Sequence, residues 1–281
     1  MKIVFIDDFY VEDGFVGGGE LNNQELISLL SQRGHDILKI NSQDVNISFL
    51  GENKNSKFIV SNFMNLKRKA IEYITNNLNY VLYEHDHKYL SKRNPAFYED
   101  FKAPKDEIVN YDFYKNAMAV FCQSSFHSNI VRKNLELDNI VNLSGNLWSL
   151  ESLEKIEDFS KIEKNNKCSI LDSNIAHKNT SDAISYCAFN KLEYDLVRSN
   201  NYLVFLQRIG ANNKLIFFPK TPETLSRIVV EARMMGMSVV TNNLVGATKE
   251  DWFSLKGAEL IEVMKEKRES ITSTVLEKLN G

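Results

Sequence analysis

Short runs of β-branched and aromatic residues alternate along the chain with longer segments whose apolar positions recur at helical spacing. Lys2 to Ile6 predicts a strand, Gly17-Gly18-Gly19 a turn, and Leu21 to Gln32 a helix that stops at Gly34. Asp36 to Ile40, Lys57 to Val60 and Tyr80 to Tyr83 predict further strands, with a helix near 64–76 between the last two. A strand from Met118 to Cys122, a helix from Ser124 to Leu135 and a strand from Ile140 to Leu143 close the first half. Residues 151–167 are charged, and then the alternation restarts. It predicts strands at Cys168 to Leu171, Lys214 to Phe218 and Ser238 to Thr241, and helices at Ser181 to Phe189, Asn200 to Arg208 and Pro222 to Gly236. Glu250 to Leu255 and Ala258 to Leu279 follow as terminal helices. Alternation of this kind predicts an α/β protein with parallel sheets covered on both faces. Two Rossmann-like domains are expected, 1–146 and 147–281, with the boundary between Leu143 and Glu151.

Composition narrows the class only slightly. Of the 281 residues, 43% are hydrophobic and 25% charged, as in ordinary globular proteins. No window approaches the apolar length of a membrane span. The run Ile3-Val4-Phe5-Ile6 stops at Asp7-Asp8, too short for a secretory signal, so a cytoplasmic protein is expected, in host cytoplasm if phage-encoded. Cys122, Cys168 and Cys187 lie far apart without metal-ligand spacing and read as buried free thiols. A net charge of −3 gives no global pull toward nucleic acid or anionic lipid.

The most specific feature is Pro222-Glu223 followed by Val229-Val230-Glu231-Ala232, then Gly236 and the strand Ser238-Val239-Val240-Thr241. On one continuous helix, Glu223 and Glu231 would stand about two turns apart on roughly one face, with Glu223 at the positive N-terminal end. An anion placed there meets free N–H groups, and the carboxylates can accept hydrogen bonds from sugar hydroxyls. The plain alternative is one helix-dipole glutamate and one surface glutamate.

This run resembles the E-x7-E signature of retaining GT-B glycosyltransferases, of the family 4-like kind, including short phage-type members. The resemblance implies two parallel-sheet domains facing across a cleft, with Glu223 on the donor sugar and Glu231 on the nucleotide ribose. Thr224, Leu225, Gly18 and Gly19 fall in the donor-binding set that it implies. The strand Tyr80–Tyr83 ends in Glu84-His85-Asp86-His87, where the family has a histidine on the donor sugar; His85 is the first choice and His87 the second. A metal on His85, Asp86 and His87 is the weaker reading, since no second ligand cluster accompanies them. Ser173 to Asn179 resembles the family's diphosphate segment: Lys178 matches its lysine, whereas Ser173 stands at its arginine. Arg208, Lys220 or Arg227 would then supply the missing cation. Asn142 to Asn146 resembles the hinge, and Val245-Gly246-Ala247 the small-residue turn beside the donor. The second half is short for the fold, with a strand–helix step lost or degenerate around Tyr194 to Val197.

The implied reaction transfers a sugar from a nucleotide-diphosphate donor to a hydroxyl with retained configuration, with no cofactor or essential metal. Glu223, His85 and Lys178 would carry it. The acceptor is expected against the first half, near Glu20, His87, Lys88 and Arg93. There Lys88, Lys92, Arg93, Lys102 and Lys105 interleave with Tyr89, Phe97, Tyr98 and Phe101. Such a stretch suits hydroxymethylated DNA as well as a glycan, a lipid-linked acceptor or a small molecule, and packing of a solvated loop accounts for it too. A donor-binding protein with weakened transfer is the second class of function.

Overall fold

The computed structural model describes residues 1–14 and 17–281. The first half runs β1 (Lys2–Asp7), α1 (Gly18–Gln32), β2 (Asp36–Asn41), α2 (Ile47–Glu52), β3 (Lys57–Val60) and α3 (Arg68–Asn77). It continues with β4 (Tyr80–Tyr83), α4 (Tyr111–Lys115), β5 (Val120–Cys122), α5 (Ser125–Leu135) and β6 (Ile140–Asn142). The second half runs α6 (Leu150–Ser160), β7 (Asn165–Leu171), α7 (Thr180–Phe189), β8 (Tyr194–Val197) and α8 (Tyr202–Gly210). It ends with β9 (Asn212–Phe217), α9 (Arg227–Met234), β10 (Ser238–Thr241) and α10 (Ala258–Asn280). The step around Tyr194 is therefore present, as the short strand β8. Cys122, Cys168 and Cys187 are free and buried.

All strand pairings are parallel. The first sheet has the order β2-β1-β3-β4-β5-β6 and the second β10-β9-β7-β8. Chain order reverses once in each, between β1 and β3 and between β7 and β9. Such switch points open a crevice outside the C-terminal strand ends, where open α/β sheets bind ligands.

Alternation along β1 shows why the strands read as continuous apolar runs. Val4 and Ile6 face a core built with Leu50, Ala70, Ile74, Phe113 and Val131, while Ile3 and Phe5 face Leu26, Leu30, Ile271, Val275 and Leu279. In the second sheet Leu215 and Phe217 pack with Leu206, Val229, Val230, Leu260 and Met264, whereas Ile216 faces Ala183 and Cys187 of α7.

The chain divides into two compact units, Met1–Leu147 with Arg268–Gly281, and Trp148–Lys267. The end of α10 thus belongs with the first unit, unlike the simple split expected at 146/147. Its apolar residues join the core beside α1, and Arg268 reaches Glu25 of α1 at 2.5 Å with both side chains largely buried.

Two local expectations change. Gly18 and Gly19 form the first turn of α1, with Gly17 as its cap, so only part of the triplet is turn. The helix expected from Pro222 begins only at Arg227. Glu223 instead donates its N–H to Leu244 O at 2.8 Å and accepts from Gly246 N at 2.9 Å, and Ala247 N reaches Leu225 O at 3.0 Å. A parallel rung with Val245 therefore claims the backbone that the helix would have used. Ser226, at φ 77°, then turns the chain into α9. At the far end Gly236 has φ 80°, the left-handed conformation that costs glycine least, and ends the helix. The helix expected from Glu250 to Leu255 is a single 3₁₀ turn, Asp251–Ser254, and not an α-helix.

Candidate active site

In the second unit, β7 and β9 carry the loops at their switch point. Leaving β7, the chain turns through Ser173 to Asn179; leaving β9, it passes Pro219 and Lys220. Lys220 N donates to His177 O at 2.8 Å, which ties the two loops together. Asn179, at φ 57°, reaches Phe218 O at 2.8 Å with its side-chain amide and strengthens the tie. Lys178 Nζ donates to Glu223 Oε1 at 2.8 Å, with side chains 27% and 14% exposed. Glu223 Oε2 has no partner among the described residues, so the pair is open to exchange with a ligand. Lys178 and Glu223, expected to act together, are brought together.

The remaining donor-side residues divide. Ser173 is held locally, its N–H on Thr180 Oγ1 and its hydroxyl accepting from Ile175 N. Leu225 is fully buried and serves the core; Thr224 is half-buried beside Glu223. Glu231 is 2% exposed and does not share a helix face with Glu223. Its Oε1 accepts from Tyr202 OH at 2.7 Å and Trp148 Nε1 at 3.0 Å, with Arg227 Nε 3.5 Å away. Arg227 also lies over the Trp148 ring at 4.3 Å. Burial first, then the neighbouring Glu231 charge, raises the Tyr202 pKa and keeps the phenol protonated as a donor. Arg227 is thus committed to this cluster. Arg208 is exposed and donates to Arg198 O, while Lys220 is exposed with no side-chain ion pair among the described residues.

In the first unit the switch point gathers a larger set of polar residues. Asp7, fully buried at the end of β1, accepts from Asn23 Nδ2 at 2.5 Å, Asp8 N at 2.8 Å and Asn62 N at 3.3 Å. Burial is the main reason that its carboxyl is pushed up to about 6, with Glu20 adding to the rise. Asn23 Oδ1 faces His85 Nε2 at 2.5 Å, and His85 Nδ1 meets the Gln123 carboxamide. Gly19 lies against the same ring, since a Cβ there would stand 3.7 Å from His85 Cγ. Gly19 and His85 are brought together, and Glu20 curls back over Gly17. Asp7, Asn23 and Gln123 were not singled out from sequence; the one signal was that Asp7-Asp8 ends an otherwise apolar strand.

His87, Lys88 and Tyr89 are not on an acceptor surface. All three are buried. Lys88 pairs with Glu84, which also accepts from Tyr114, and the His87 ring packs edge-on against Tyr89 and His127. Burial lowers the His87 pKa to about 4 and keeps the ring neutral. The rings of His85 and His87 therefore look into different surroundings, and no group of three metal-ligating side chains occurs among the described residues. Arg93 binds Asp86, and Lys92 and Lys102 are matched by Glu107 and Glu136 at 3.4 and 3.1 Å. Burial opposes charge on Asp86, but Lys88, Arg93 and His87 outweigh it and lower its pKa to about 2.

No family model and no curated protein matches the chain. Among solved structures, HepE from Anabaena, in complex with UDP-glucose, aligns over 99% of this chain and 91% of its own at 15% identity and TM-score 0.54. WaaG, a glycosyltransferase of lipopolysaccharide biosynthesis, aligns over 99% and 94% at 11% identity and TM-score 0.53. An α-glucosyltransferase in complex with UDP and a 13-mer DNA aligns over the same shares at 11% identity and TM-score 0.51. The chain has the GT-B fold. The likeness covers both parallel sheets. No helix among the described residues is long and apolar enough to cross a membrane.

Proposed function

We propose that this GT-B protein is a nucleotide-sugar-dependent glycosyltransferase that retains the anomeric configuration. The observation that carries the reading is the partly buried Lys178–Glu223 pair at the β7/β9 switch point. A donor diphosphate would take the Lys178 ammonium, and the sugar hydroxyls the freed Glu223 carboxylate. Each ion thus exchanges its partner without being left bare. Charge develops on the leaving diphosphate, so a cation held there lowers the barrier. Lys220, exposed and tied through its backbone to the Lys178 loop, is assigned as the second cation in place of the arginine that Ser173 replaces. Glu231, held by Trp148 and Tyr202, keeps Oε2 for a ribose hydroxyl, and His85 contacts the donor sugar. No carboxylate is singled out as a nucleophile, so front-face attack by the acceptor hydroxyl is the assigned route.

The test is loss of UDP-, GDP- or dTDP-sugar in the presence and absence of acceptors, with NMR of the product's anomeric configuration. Retained configuration with a single donor class is expected, together with its loss in Glu223→Ala. Inverted product removes the retaining assignment, and neither binding nor turnover of any donor removes the reading. Donor binding without hydrolysis or transfer would support the weakened binding protein instead. Hydroxymethylated DNA is the second acceptor reading, favoured by the GT-B likeness to a DNA-bound enzyme. Against it, Lys92, Arg93 and Lys102 are already matched by carboxylates. Label transfer to such DNA, compared with membrane extract, separates the acceptors.

A further inference from the structure

The polar chain behind His85 has a direction, and its buried end sets it. An ionised carboxylate only accepts hydrogen bonds. Asp7 therefore requires the NH₂ side of the Asn23 carboxamide, which also donates to Ser61 Oγ at 2.7 Å. Asn23 Oδ1 is thereby turned to His85 Nε2, and an oxygen facing that nitrogen requires a proton on it. His85 Nδ1 is left as an acceptor and meets the Gln123 amide. Asp7 and Asn23 are 0% and 1% exposed, so water does not compete for these bonds.

We propose that Asp7 is a positioning residue for His85: acting through the Asn23 carboxamide, it holds the imidazole as its Nε2–H tautomer with Nδ1 turned to Gln123. Which nitrogen of a histidine carries the proton is set by the hydrogen bonds of its two ring nitrogens, and here the partner of Nε2 is itself fixed by a buried charge. The arrangement joins the ends of β1, β3, β4 and β5 to the first turns of α1. Besides His85, the titratable groups around Asp7 are Asp8, just past the end of β1, and Glu20 on α1; beyond Asn62 stand Lys88 and its partner Glu84. Below a pH of about 6 Asp7 takes up a proton and becomes able to donate, so the Asn23 amide is no longer forced into one orientation.

The functional part of this proposal rests on the assignment of His85 to the donor sugar, and the tautomer part does not. With ring-labelled histidine, the chain gives five imidazole signal sets, whose carbon and nitrogen shifts report tautomer and protonation. At pH 8 His85 should be wholly Nε2–H in the parent protein and in Ser61→Ala, which removes one bond but leaves the Asp7 charge. In Asp7→Asn the side chain can donate as well as accept, and at least about a third of His85 should become Nδ1–H. An unchanged, wholly Nε2–H His85 in that variant overturns the proposal. Should the variant not fold, titration of the parent protein decides. A change in the tautomer of the neutral His85 population that tracks the titration of the Asp7 carboxyl supports the proposal, and its absence while Asp7 titrates overturns it. For catalysis, Asp7→Asn should lower kcat by about tenfold or more with little change in donor KM. A moved tautomer with unchanged kcat keeps Asp7 as a positioning residue and instead removes His85 from the donor contact.

Discussion

At the strand ends of the first unit, Asp7, Asn23, His85 and Gln123 are linked by successive hydrogen bonds, whereas in the second unit Lys178 and Glu223 hold chiefly one another. A linked set stores orientation, because each bond fixes the next. A single partly buried ion pair keeps capacity to change partners, which a site that binds and releases a charged donor requires. The same contrast separates the two glutamates of the motif. Glu231 is surrounded by Trp148, Tyr202 and Arg227, while Glu223 stands on an extended segment with one free carboxylate oxygen.

The sharpest way to break this comparison is to remove the open pair. Lys178→Met should reduce donor turnover by about 100-fold or more, on the scale of losing one transition-state donor, while the unfolding midpoint barely moves. A large fall in stability would mean that the pair is structural after all. Glu231→Ala should cost stability as well as the ribose contact. Removing one member of a buried charged cluster leaves its partners uncompensated and costs about 3–5 kcal/mol, read by urea unfolding. A stable variant would show that Trp148 and Tyr202 do not depend on it.

The next effect is in pH dependence. Asp7, raised from 3.8 to about 6, contributes stability that is complete below pH 3.8 and lost as pH rises through about 6. His87, lowered from 6.5 to about 4, contributes stability that is present above pH 6.5 and lost as pH falls through about 4. The two slopes oppose each other over most of this range. Asp7→Asn removes one of them, so acidification from pH 7.5 to 4.5 should cost the variant about 2 kcal/mol more than the parent. Equal acid sensitivity would contradict the buried, raised carboxyl. The smallest expected effect is at the exposed Lys102–Glu136 pair, where Lys102→Ala should change stability by less than about 0.5 kcal/mol.

Much of the fold was legible because the inner strands β1, β3, β4 and β5 are buried on both faces and therefore read as apolar runs. Lys57–Val60, Tyr80–Tyr83 and Ser238–Thr241 lie where the pattern placed them. Pro222 to Ser226 was misread because local sequence offered good helix formers, and the competing rung to Val245 comes from residues some twenty positions later. His87 and Lys88 were misread for a related reason. Charged and imidazole side chains look like surface until a tertiary partner such as Glu84 or Tyr89 appears. The linked set at Asp7 was invisible in the same way: Asn23, His85 and Gln123 are far apart in the chain, and only the parallel sheet gathers them.

The rung between Glu223 and Val245 also has a consequence for tolerance to insertion and deletion. The spacing from Glu223 to Glu231 can be kept intact while the position of Glu223 is lost, because the backbone that places it is spliced to residues 244–246. A one-residue change of length between Asn242 and Ala247 would shift that splice and carry the carboxylate away from Lys178 with every residue of the motif unchanged. The length of that loop therefore sets the place of Glu223 as firmly as the motif does.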